Sequence, residues 1–187
     1  MMKLLNIVLA LVVCISITSC GSTQNAAVDS ASAAKLDSVI NKKEFRIDCQ
    51  WAMPTISSSM MRVANSGLIP PGNNVQRIDI IDDGAFIQIK GDSAKADLPF
   101  FGERQMGGGY NTEGEGIKFN NKITDLEIEY LDKKKHHRIT FSTNNSTETF
   151  DVTLMVFLNG KTSVSVNSSE RDFITYDGML KELPKKE

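Results

Sequence analysis

The chain is poor in the residues that most often carry catalysis and metal binding. It has two histidines, three cysteines and one tryptophan among 187 residues. The histidines, His136 and His137, are neighbours. Neighbours on a strand point to opposite faces, so the pair cannot chelate one metal, and no Cys or carboxylate cluster joins them. No Ser/His/Asp elbow and no Cys/His dyad is spaced for nucleophilic chemistry. The expectation is a non-enzymatic protein with no catalytic residue, no metal and no cofactor. An excess of one charge is missing too. Lys+Arg number 21 against 23 Asp+Glu, a formal net charge of −2, so nothing in the balance draws the chain to nucleic acid. The one glycine-rich stretch, Gly107-Gly108-Gly109-Tyr110, is followed by no helical period, which a phosphate-cradling loop requires. It reads as a surface loop.

Long apolar runs are absent except at the start. Leu4 to Ile17 is nearly unbroken, is preceded by Lys3, and ends in Thr18-Ser19-Cys20-Gly21. That order is a secretion signal, too short for a comfortable membrane span. Ile17-Thr18-Ser19-Cys20 resembles the lipobox of bacterial lipoproteins. The resemblance implies that the Cys20 thiol takes a diacylglycerol and that Cys20 becomes the mature N-terminus, with palmitate among the attached chains. Each buried methylene contributes ~0.8 kcal/mol, so several chains anchor a protein almost permanently. Cys14 leaves with the signal and Cys20 goes to lipid. Cys49 then stands alone, and an intramolecular disulfide is excluded. Cys49 shares a phase with Phe45, Ile47 and Trp51 and reads as a small buried hydrophobe.

The organisation follows from patterning. Residues 1–19 are the signal, 20–34 an acylated flexible tether without aromatics, 35–183 one β domain, and 184–187 a charged tail. Leu36, Val39 and Ile40 at helical spacing predict a short amphipathic helix over 35–43. From Glu44 the period is two. Phe45, Ile47, Cys49 and Trp51 share one face, and Pro54 stops the strand. Met60, Met61 and Val63 make a short strand or turn of helix, and Gly67 and Pro70 to Asn74 a loop. Val75–Asp82 and Ala85–Lys90 read as strands joined by a hairpin at Asp83-Gly84. Ser93–Leu98 and Gly116–Phe119 are short strands. Leu126, Ile128 and Tyr130 alternate before a turn at Asp132 to Lys135. His137, Ile139 and Phe141 return. Phe150 to Leu158 is the longest alternation, Asn159-Gly160 a type I′ hairpin dipeptide, Val164 and Val166 its partner strand, and Phe173–Leu180 the last strand. The fold class is all-β: an antiparallel β-sandwich or a partly open β-barrel, with a short N-terminal helix.

Three stretches fit together in order: Phe45 to Pro54, Gly91 through Leu98-Pro99-Phe100-Phe101-Gly102, and Arg171 to Gly178 with its Ile174-Thr175-Tyr176-Asp177-Gly178. Over roughly residues 35–180 the chain resembles a lipoprotein family of Bacteroidota, domain-of-unknown-function family 4251. The resemblance implies compartment and fold and carries no activity.

Several residues are singled out beside Cys20. Leu98, Pro99, Phe100, Phe101 and Gly102 form either an exposed aromatic lip or a strand end folded over the core. Ser30, Ser38 and Ser93 follow aspartate and precede a small aliphatic residue, which resembles the acceptor for protein O-glycosylation in Bacteroidota. Lys133, Lys134, Lys135, His136, His137 and Arg138 gather at a solvated hairpin tip, a basic patch that anionic lipid head groups would attract. Expected partners are the membrane, through the lipid anchor, and an envelope protein or glycan. The expected place is the outer membrane, with the domain facing the periplasm and the cell surface as the alternative. The inward list is Phe45, Ile47, Trp51, Ile87, Ile89, Leu126, Ile128, Ile139, Phe141, Val152, Leu154 and Val156. These are mostly branched aliphatics that interdigitate well, which predicts a filled core and no large apolar cavity. The alternative is a cup for an apolar ligand. An unrecognised hydrolase is a third reading.

Overall fold

Strand-forming sequence from Glu44 onward folds into one antiparallel sheet that curls almost closed. The computed structural model describes residues 30–57, 61–62, 65–66, 74–105 and 116–184. Helix α1 (Ser30–Lys42) leads into β1 (Glu44–Pro54), β2 (Ile78–Asp79), β3 (Phe86–Lys90), β4 (Ser93–Leu98), β5 (Ile117–Lys122), β6 (Thr124–Leu131), β7 (His136–Asn144), β8 (Thr149–Phe157), β9 (Lys161–Ser168) and β10 (Ile174–Glu182). The strand order is β5-β4-β3-β1-β10-β9-β8-β7-β6, with β2 beside β1. The edge strands β5 and β6 are consecutive in the chain. Thr143 Oγ1 donates to the Lys122 carbonyl at 3.0 Å, and Asn121 Nδ2 to Asn144 Oδ1 at 2.7 Å. Those bonds tie β5 to the far end of β7 and draw the two edges together. Of the two β architectures the patterning allows, the partly open barrel is the one formed.

The interior is filled by side chains. Phe45, Ile47, Ile87, Ile89, Ile139, Phe141, Val152, Leu154 and Val156 are all buried there, with Tyr176, Phe150, Leu98 and Ile117 beside them. Leu126 and Ile128 are only partly buried, because β6 is an edge strand with a single hydrogen-bonded neighbour. Leu36, Val39 and Ile40 of α1 join the same core, so the helix is held by its apolar face rather than by propensity.

Six details differ from the patterning. Val75–Asp82 is not one strand: only Ile78–Asp79 pairs as β2, and Ile81–Asp83 is a 3-10 turn. The helix begins at Ser30, five residues inside the expected tether; the alanines there are strong helix formers. Trp51 does not face inward. The pairing β1↔β10 slips between Cys49 and Trp51, so Gln50 is an extra residue. A bulge of this kind turns the following side chains over. Ala52 takes the inward place, fully buried, and Trp51 goes to the outer surface, half-buried. Asp83-Gly84 is not a hairpin. Both β2 and β3 pair antiparallel with β1, so they run in the same direction along one edge. A 3-10 turn at Ile81–Asp83, ending on Gly84 at φ 66°, steps the chain past the bulge. Asn159-Gly160 is not a two-residue turn. The register Val156↔Thr162 leaves three residues, 158–160, and Gly160 alone takes a positive φ, 79°, as in a three-residue hairpin loop. Last, His136 and His137 are buried, and only Lys133, Lys134, Lys135 and Arg138 stay exposed at the tip. The His136 ring lies 5.3 Å from that of Phe157. The His137 ring lies 4.9 Å from that of Tyr130, and its Nε2 is 2.7 Å from Asp37 of α1.

Candidate functional site: a polar groove at the β1 bulge

The bulge that expels Trp51 lies beside an open surface groove lined by Gln50 and Trp51 of β1 and by residues of β9 and β10. Local hydrogen bonds hold it open. Cys49 donates its N–H to the Ala85 carbonyl at 2.9 Å, and Ile80 donates to the Gln50 carbonyl at 3.0 Å. Opposite the bulge, in β10, stands Gly178. A Cβ at that position would lie on the Asp48 carbonyl and the Cys49 Cα, so only glycine lets the two backbones approach this closely.

The groove measures about 590 Å³ and is open to solvent. Trp51 and Arg77 form one bank, and Phe157, Asn159 and Lys161 the other. Ser163, Asp177 and Met179 lie on the floor. Arg77 is aimed by an Asn turn: Asn74 Oδ1 accepts the N–H groups of Gln76 and Arg77, each at 2.9 Å. Its guanidinium then sits 4.1 Å from the Trp51 ring centroid, a cation–π contact of ~0.5–1 kcal/mol at an exposed position. On the far bank Asn159 Oδ1 accepts the Lys161 N–H at 3.1 Å and shapes the loop. The side chains of Gln50, Ser163, Asp177 and Lys161 carry no hydrogen bond or ion pair among the described residues. Behind the floor lies Cys49. Burial, with the negative charge of Asp48 and Asp177, pushes its thiol up to about 12, so it is neither a nucleophile nor a ready metal ligand. Among the described residues no three His, Cys, Asp or Glu side chains gather to hold a metal.

The residues singled out by sequence lie elsewhere. Leu98 is buried, and the Pro99 carbonyl accepts a 2.8 Å hydrogen bond from the Tyr176 hydroxyl. Phe100 and Phe101 are partly buried against the core. The Phe100 ring fills the space above Gly102, where a Cβ would strike its edge. Arg171 stacks over Phe100 at 5.2 Å and belongs to a buried ionic cluster. Its Nη2 donates to Glu148 Oε1 at 2.8 Å. Arg104 Nη2 reaches the same oxygen at 2.9 Å and Glu170 at 3.0 Å, and Ser168 Oγ donates to Glu148 Oε2 at 2.9 Å. The three stretches that carry the family resemblance therefore touch one another: β1 at Gly178, and Pro99 and Phe100 at Tyr176 and Arg171. Ser38 is exposed on α1, Ser93 is exposed at the head of β4, and Ser30 is the first residue of α1. Cys20, Met60, Val63, Gly67, Pro70 to Asn73 and Gly107 to Tyr110 lie outside the described residues.

Sequence reasoning missed the groove. The readable signal was Asp177, an acidic residue in outward phase on a strand otherwise carrying Thr175 and Met179 there. Nothing in the sequence links Arg77 to Trp51.

Comparison with known proteins bears on fold and family. No curated protein matches the chain. The crystal structure of a DUF4251 family protein from Bacteroides eggerthii DSM 20697 superposes with a TM-score of 0.56 at 13% identity, over 83% of this chain and 91% of that one. At that identity the likeness shows the shared fold. The family described as "Domain of unknown function (DUF4251)" matches residues 27–180, the helix and all of the barrel but the last two residues of β10, and the chain belongs to that family.

Proposed function

We propose that this protein is a lipid-anchored, non-enzymatic module of the bacterial envelope. It is held to the outer membrane through Cys20 and binds an envelope component, protein or glycan, on the outer face of its barrel. The observation that carries this reading is the groove beside Trp51, where charged and polar side chains stand ready and uncommitted. The barrel interior, by contrast, is occupied by its own side chains. A filled core leaves the surface as the place for recognition. The helix that follows the tether packs on the core, so the barrel is presented to the envelope as one body with α1.

The test is photo-crosslinking in the native host. A benzophenone amino acid is placed at Gln50 or Asn159 in the groove, or at Lys95 on the outer face of β4 as the control. The expected result is a discrete adduct from both groove positions and none from Lys95. Identical adduct patterns from all three would sink the groove as the binding face.

A further inference from the structure

We propose that the groove recognises a saccharide chain through its hydroxyl groups. This deepens the reading of the groove as the binding face and rests on it. Three observations select the ligand class. First, the floor strands β1, β10 and β9 each have a hydrogen-bonded neighbour on both sides, so their backbone groups are already used. An extended peptide adding to a sheet needs a free edge, and this floor has none. Recognition falls to side chains. Second, those side chains are of mixed kind. Asp177 and Gln50 accept, Lys161, Arg77 and Gln50 donate, and Ser163 does both. A polyanion would meet Asp177 and a polycation would meet Lys161 and Arg77, whereas a neutral array of hydroxyls, each both donor and acceptor, matches all of them. Third, Trp51, with Arg77 stacked on its ring, lines the groove beside these groups, and Met179 and Phe157 add apolar contact. A sugar ring has the complementary build, with C–H faces and a polar rim. The volume of about 590 Å³ lies within the ~300–1,000 Å³ of ligand clefts.

Trp51 is the one tryptophan of the chain, so its emission reports on the groove directly. The full chain, purified from host membranes in a sugar-free detergent, is titrated with cello-, manno- and chito-tetraose. Binding is followed by Trp51 fluorescence and, independently, by calorimetry. The expected result is saturable binding of at least one tetrasaccharide with a shift of Trp51 emission. That affinity falls about tenfold or more in Asp177→Ala and in Ser163→Ala, since each removes a hydrogen-bonding group from the groove floor. Both positions are on the surface floor, so far-UV circular dichroism should not change. No saturable binding in either readout overturns the proposal, and so does binding that both variants keep at full strength. The two readings fail separately. If the groove positions still give a discrete crosslinked adduct in cells, and that adduct is destroyed by protease, the binding face stands and the saccharide falls.

Discussion

Glu148→Gln isolates the ionic cluster that closes one end of the barrel. The Glu148 side chain is 1% exposed and that of Arg171 5%. The carboxylate receives the Arg171 Nε and Nη2, the Arg104 Nη2 and the Ser168 hydroxyl. Glutamine keeps the volume but deletes the charge and turns an NH2 group toward these donors. The buried Arg171 guanidinium then lacks the carboxylate that neutralises it. Breaking a buried pair in this way costs about 3–5 kcal/mol, a large share of the ~5–15 kcal/mol that holds an ordinary domain together. For a chain of this size each kcal/mol moves Tm by ~2–4 °C, so the variant should melt about 6–20 °C lower and show a reduced urea midpoint at unchanged m. The pH dependence has a definite sign. Burial pushes the Glu148 carboxyl up, but hydrogen bonds from Arg171 and Ser168 and the charges of Arg171 and Arg104 outweigh it, and the net lies below the ordinary 4.5. A carboxyl depressed in the folded state contributes fully above its unfolded value and loses that contribution as pH falls through the folded one. The stability gap between wild type and variant should therefore be full at neutral pH and narrow below about pH 4.5. A loss under about 1 kcal/mol at pH 7, or a gap that widens in acid, would refute the reasoning. Glu148→Leu with Arg171→Met should recover much of the loss, because an apolar pair needs no desolvated partner.

Three further outcomes follow from particular contacts. Gly178→Ala should lower stability by ~1–3 kcal/mol, because its Cβ meets the Asp48 backbone rather than a yielding side chain; equal urea midpoints would show that β1 and β10 separate easily. Cys49, buried with its thiol pushed up to about 12, should resist maleimide at pH 8 in native buffer and react within minutes in denaturant. Rapid native labelling, counted by intact mass, would contradict the burial. Cys20→Ala should abolish incorporation of fed palmitate and leave the signal uncleaved by the lipoprotein peptidase, and retained label would remove the lipobox reading.

Much of the barrel was legible in the sequence. Phe150, Val152, Leu154 and Val156 alternate over nine strand residues, Asp132 to Lys135 break the pattern, and Ile139 and Phe141 resume it. A period of two with one buried face forces strand and face together. The His136–His137 pair misled because polar side chains at a turn are ordinarily solvated. Here α1 packs on the core and brings Asp37 within 2.7 Å of His137, a contact spanning 100 residues of sequence that no local pattern encodes.

The sequence by itself determined the all-β class, the leading helix, most of the strand faces and the three stretches that mark the family. These are local properties, written in periodicity, turn residues and motif. Only the tertiary structure decided that the sheet curls toward closure rather than splitting into a sandwich. That choice rests on Lys122 meeting Thr143 and Asn121 meeting Asn144, partners whose proximity depends on how far all nine strands stagger. It also decided where the groove lies. One extra residue at Gln50 turns Trp51 outward, and a bulge is invisible until a partner strand sets the register against which the residue is extra.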